Sequence, residues 1–155
     1  MSVEALIKAA RANGHMIACA ESCTGGLLGA GITAVPGSSD IFDRGFITYS
    51  NAAKAEMLGV DPATIAAHGA VSEEVAAQMA AGALGRSAAT LAMSITGVAG
   101  PGGSEHKPEG RVCFALATPA GTRTETVEFG AIGRAQVRAA AVEHALALLI
   151  GAVQP

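Results

Sequence analysis

Met16-Ile17-Ala18-Cys19-Ala20-Glu21-Ser22-Cys23-Thr24-Gly25-Gly26 is the stretch on which the fold turns. Its first five residues are an apolar run of strand length, and Gly25-Gly26 lets the chain reverse sharply into an apolar helix that starts near Gly26. A strand running through a glycine-rich turn into a helix is the opening unit of an α/β sheet. It leaves free helix N–H groups and a positive dipole end beside Ser22, Cys23 and Thr24. Such a turn can hold an anion or the oxyanion of acyl transfer. The same Ser and Thr also fit as ordinary helix N-caps.

Upstream, Ser2 caps a helix with Leu6, Ile7 and Ala10 at helical spacing, which ends at Gly14. Downstream, the loop Val35-Pro36-Gly37-Ser38-Ser39 leads to a β-rich segment, Phe46 to Tyr49, with Tyr49 at its end. Ser50 or Asn51 then caps a helix that carries Lys54 and closes near Gly59. Asp61-Pro62 opens a further helix that ends around His68-Gly69, and Ser72 caps a third with Glu73 and Glu74 in its first turn. Thr90 to Ile95 is a continuous apolar strand entering the glycine-rich loop Thr96 to Gly103. Val112 to Thr118 and Thr124 to Phe129 flank Pro119-Ala120-Gly121-Thr122 as a hairpin, and a long helix from about Arg134 closes the chain. Continuously apolar strands among helices, with one hairpin, predict an α/β fold: a three-layer α/β/α sandwich with a mixed sheet, one domain over residues 1–155.

Composition narrows the function. The chain is 50% hydrophobic but 3% aromatic, so its core is built from small and aliphatic side chains. A net charge of −3 with no basic run argues against nucleic acid and for a small-molecule partner. The N-terminus lacks signal-peptide features, and Arg138, Glu143 and His144 interrupt the apolar C-terminal stretch, so a cytoplasmic protein with no membrane segment is expected. Three cysteines make no disulfide framework, and neither Cys19 and Cys23 nor the four scattered histidines form a metal-ligand pattern. The glycine spacing around Gly97 to Gly103 matches neither a dinucleotide fingerprint nor a phosphate-binding P-loop.

Ligands in open α/β sheets collect at the carboxyl ends of strands, and Ser22, Tyr49 and Thr96 each follow or end a strand. Ser22 lacks the G-x-S-x-G setting of a serine-histidine hydrolase. A lysine can activate a serine when its ammonium form is disfavoured, and Lys54 falls in the first turn of its helix, where the dipole opposes positive charge. A solvated Lys54 on a helix surface and a core Tyr49 with a satisfied hydroxyl are the competing readings.

These segments together, namely Ala20-Glu21-Ser22-Cys23-Thr24-Gly25-Gly26, Phe42-Asp43-Arg44-Gly45-Phe46-Ile47-Thr48-Tyr49-Ser50-Asn51 with Lys54, Leu58-Gly59-Val60, His68-Gly69-Ala70-Val71-Ser72 and Thr96-Gly97-Val98-Ala99-Gly100-Pro101, closely resemble the CinA C-terminal domain family. The resemblance runs from about Leu6 to Leu149. It implies hydrolysis of nicotinamide mononucleotide to nicotinic acid mononucleotide and ammonia, as in the family's stand-alone deamidases, without metal or organic cofactor. By the same resemblance Ser22 is the nucleophile, with Lys54 as base aided by Tyr49. Cys23, Thr24, Gly25, Gly26, Arg44, Asn51, Thr96, Gly97 and Arg138 are then expected to contact substrate, and a homo-oligomer is expected. The phosphate site falls to the Thr96 to Gly103 loop with one of Arg44, Lys107 or Arg138. The loop Gly102 to Lys107 is one residue shorter than the family pattern, and Glu109 stands where an apolar residue is commoner. Family members fused to a second domain and linked to competence and DNA damage give the alternative, a non-catalytic nucleotide-binding or protein-interaction module.

Overall fold

The computed structural model describes residues 2–104 and 106–155. In chain order the elements are α1 (Val3–Ala12), β1 (Ile17–Glu21), α2 (Leu27–Thr33), β2 (Phe42–Ile47), α3 (Asn51–Leu58), α4 (Pro62–His68), α5 (Glu73–Gly85), β3 (Leu91–Gly97), β4 (Arg111–Thr118), β5 (Gly121–Glu128) and α6 (Arg134–Ala152). The strands form one sheet in the order β2-β1-β3-β4-β5, with β1 parallel to both neighbours and β4 and β5 added antiparallel. This is the three-layer α/β/α sandwich with a mixed sheet that the sequence predicts.

The two faces of the sheet differ in side-chain size. Ile17, Leu91, Met93, Ile95 and Phe114 pack under α1, α2 and α6. Ala18, Ala20, Ala92, Ala115 and Ala117 lie under the α3 to α5 layer, where α5 settles closely on the sheet. Ser94, buried on β3, donates its hydroxyl to the Ala76 carbonyl of α5 at 2.6 Å. A Cβ on Gly82 of α5 would lie 2.0 Å from the Leu58 carbonyl oxygen, so glycine is what lets α3 and α5 cross. α6 has the length and composition to cross a membrane, but its stripe of Val137, Ala141, Ala145 and Leu149 is buried in the core.

Several boundaries differ from expectation. β2 begins at Phe42 rather than Phe46 and ends at Ile47, which puts Tyr49 beyond the strand. Asp43, Arg44 and Gly45 are poor strand formers, tolerated because β2 is an edge strand paired on one side by β1. β3 extends through Thr96 and Gly97, which pair with Cys113 and Val112 of β4. The hairpin turn contracts to Pro119-Ala120, since Thr118 already faces Gly121. In the loop after Pro101, Ser104 bridges Lys107 and the Gly102 N–H donates to the Glu109 carboxylate. Glu105 of that loop lies outside the described residues.

Candidate active site

The Ser22 turn is stitched to both neighbours of β1. The Ser22 N–H donates to Ile95 of β3 at 2.9 Å, and the Thr48 N–H donates to the Glu21 carbonyl at 2.9 Å. Gly25 and Gly26 take φ values of 56° and 106°, left-handed backbone that suits glycine and lets the chain enter α2 at once. α2 has no side-chain cap at Gly26. Its leading donors go instead to Glu21, 1% exposed, whose carboxylate accepts from Leu28 N–H at 2.9 Å, Gly29 N–H at 3.0 Å and the Thr24 hydroxyl at 2.6 Å. A buried acid at a helix N-terminus thereby does the work of an N-cap residue.

Lys54 is the fourth residue of α3, whose first turn is held by Ser50 Oγ accepting from Ala53 N–H at 3.0 Å. It is 1% exposed, which removes the solvated-surface reading. Its Nζ donates to Ser22 Oγ at 3.2 Å and to the Tyr49 main-chain carbonyl at 3.3 Å. Tyr49 itself is 60% exposed, so the core reading falls as well. Its hydroxyl accepts from Arg134 Nη2 at 3.0 Å.

A cavity of about 300 Å³ opens over this pair. Ser22, Cys23, Tyr49, Asn51 and Lys54 form one wall, and Thr96 with the loop from Gly97 to Ser104 forms the other. Arg134, which the sequence reading passed over, also lines it and donates to the Gly100 carbonyl at 2.6 Å. The signal for Arg134 was available: it is the first residue of α6, a cation at the positive end of a helix, the same anomaly that marks Lys54.

Other expected contacts sit elsewhere. Thr24, Gly25 and Gly26 shape the turn without lining the cavity. Arg44 is placed away from it, because its guanidinium pairs with Asp43 at 2.8 Å and donates to the Arg86 carbonyl at 3.0 Å. Lys107 is also absent from the cavity wall and donates to the His68 carbonyl at 3.1 Å. Arg138 lies behind the turn, with Nε on the Cys23 carbonyl at 3.0 Å and Nη2 on that of Thr24 at 3.4 Å. Thr96 spends its hydroxyl on the Ala70 carbonyl at 2.9 Å. Burial pushes the Cys23 thiol up to about 11, so this cavity-lining sulfur is a neutral thiol at physiological pH. Burial, then the Glu21 carboxylate, raises Cys19 further. Among the described residues no cluster of His, Cys, Asp and Glu could hold a metal ion.

A buried serine-lysine contact at the carboxyl ends of parallel strands, entered through a glycine-rich loop, can be compared with known proteins. Residues 2–153 match the CinA C-terminal domain. The chain belongs to that family. Among CinA relatives, the nicotinamide-nucleotide amidohydrolase PncC of Escherichia coli K12 is 50% identical over 143 residues, which cover 92% of this chain and 87% of that protein. The CinA-like protein of Chlorobaculum tepidum is 61% identical over 103 residues, 66% of this chain. The match covers only 24% of that relative, and 33% of the CinA-like protein of Syntrophobacter fumaroxidans, so the chain spans a minor part of these longer proteins. The solved CinA structures agree in fold. The competence/damage inducible protein CihA of Agrobacterium tumefaciens superposes with a TM-score of 0.89 at 45% identity, covering 96% of this chain and 94% of that one. A CinA superfamily protein of Klebsiella pneumoniae gives 0.94 at 36% identity, covering 97% and 94%.

Proposed function

We propose that the chain is a single amidohydrolase domain that converts nicotinamide mononucleotide to nicotinic acid mononucleotide and ammonia. The observation that carries this is the 3.2 Å contact between Ser22 Oγ and the buried Lys54 Nζ on the cavity wall. Burial and the α3 N-terminus both penalise the ammonium form, which suits Lys54 to act as a neutral amine. Lys54 takes the Ser22 proton as Oγ bonds to the carboxamide carbon, and N–H groups of the Ser22 turn receive the oxyanion. The C–N bond then breaks, ammonia leaves with the proton returned by Lys54, and water hydrolyses the acyl-serine by the reverse sequence. Tyr49 contributes its carbonyl to Lys54 and its hydroxyl to Arg134.

The cavity volume lies at the lower end of the range for small-ligand sites. For the 5′-phosphate we assign Arg134, the guanidinium in the cavity wall, with the Thr96 to Gly103 loop. Cys23, Asn51 and Gly97 line the remainder. The similarity to PncC supports this substrate, as does an architecture that buries a lysine against a serine, a contact that a non-catalytic binding module would not require. A cytoplasmic setting fits the three free thiols, and a homo-oligomer completes the reading. The test is ammonia release from nicotinamide mononucleotide by the purified chain. Turnover that depends on Ser22 is expected, and no release between neutral and alkaline pH overturns the assignment.

A further inference from the structure

Glu109 does not line the cavity, yet it holds residues that do. Gly100, Pro101, Gly102 and Gly103 belong to the cavity wall, and the Gly102 N–H donates to the Glu109 carboxylate. Gly100 has a φ of 91°, and a Cβ there would lie 2.7 Å from Glu109 Cδ, so the loop backbone runs directly against the acid's stem. The acid stands on a fixed base. Its neighbour Gly110 donates to the Val98 carbonyl at 2.8 Å and accepts from the Phe129 N–H at 2.9 Å, while the Val98 N–H donates to the Arg111 carbonyl at 2.8 Å. On the cavity side Arg134 donates to the Gly100 carbonyl at 2.6 Å. A carboxylate and a guanidinium thus grip the same short segment, one through an N–H and the other through a C=O two residues earlier. Hydrogen bonds with an ionised partner are the stronger kind. Gly102 is exposed and lies outside any helix or strand, so this tie is what orders it.

We propose that Glu109 is a positioning residue for substrate binding: its carboxylate fastens Gly102, so that the glycine-rich wall and the Arg134 guanidinium bonded to it are in place before the substrate phosphate arrives. This rests on the amidohydrolase reading and on the assignment of the phosphate to Arg134. A wall that is already ordered need not be ordered by the substrate, which tightens binding. The Ser22 to Lys54 contact is made by other elements, so the effect falls on KM and not on kcat.

The experiment compares wild type with Glu109→Leu and Glu109→Gln by steady-state ammonia release from nicotinamide mononucleotide, by the calorimetric Kd of nicotinic acid mononucleotide, and by amide exchange at Gly102 without ligand. Leucine removes the acceptor, whereas glutamine keeps an oxygen for the Gly102 N–H. For Glu109→Leu the expected result is a rise of about 10-fold in KM and Kd, kcat within about threefold of wild type, and faster exchange at Gly102. Glu109→Gln is expected to stay within about threefold of wild type in KM, Kd and exchange rate. Wild-type KM and Kd in Glu109→Leu, a fall in kcat at constant KM, or a Glu109→Gln protein as impaired as Glu109→Leu overturns the proposal. Wild type supplies its own check if the variants fail to fold: its Gly102 N–H is expected to be protected, and exchange at the rate of an unstructured glycine overturns the proposal. A wild-type chain that binds nicotinic acid mononucleotide but releases no ammonia counts against the amidohydrolase reading, while Kd and exchange still decide the role of Glu109.

Discussion

At the scale of single residues, the serine-lysine contact makes the sharpest demands. Ser22→Ala should lower kcat by at least ~10³-fold while leaving the melting temperature nearly unchanged, because the hydroxyl caps no helix here. Retained turnover in the folded variant would move the nucleophile elsewhere. Lys54→Arg keeps the charge but cannot serve as a neutral base, so turnover should be lost across the pH range. Substantial turnover in folded Lys54→Arg would exclude Lys54 as base. Cys23 offers a third check. With its thiol raised to about 11 by burial, roughly one part in 10³ is thiolate at pH 8, and iodoacetamide should label the native protein slowly. Because an unfolded thiol ionises near 9.0, the native state loses stability as pH rises from there toward 11. Cys23→Ala should remove that part of the alkaline instability in melts run against pH.

Of the site, Ser22 and Lys54 are legible because each breaks a local rule: a hydroxyl crowded into a glycine turn, and a cation at the positive end of a helix. Which groups Tyr49, Arg138 and Arg44 face is not legible, since that depends on which strand edge and helix face they meet across more than 40 residues of chain.

At the scale of elements, the central strands could be read from their apolar runs because β1 and β3 are buried on both faces. The first four residues of β2 could not, because an edge strand carries polar residues and a glycine without cost to a partner it lacks. Caps were equally readable: Ser2, Ser50, Asp61 and Ser72 each accept the N–H bonds their side chains suit. The crossing of α3 and α5 at Gly82 was invisible until the two helices were seen to touch. Gly82→Ala would drive a methyl into the Leu58 carbonyl and should destabilise by at least ~2 kcal/mol in chemical denaturation. Since α3 also carries Lys54, kcat should fall with it. A variant as stable and active as wild type would show that the crossing has slack.

At the scale of the whole molecule, the sheet divides the site between its two coverings. Ser22 leads into α2, which belongs to the layer over the larger side chains, whereas Lys54 comes from α3 in the layer over the alanines. Guanidinium should accordingly abolish turnover at lower concentration than it abolishes helical ellipticity, because loosening either layer separates the pair. Coincident curves would mean that the two layers melt as one unit.

The same division governs the newborn chain. Ser22 leaves the ribosome before Lys54, and each awaits a different half of the sandwich, so a partly folded polypeptide holds a serine without its amine or an amine without its serine. On the proposed serine-lysine chemistry, hydrolytic power then arrives last in maturation, once both halves have closed.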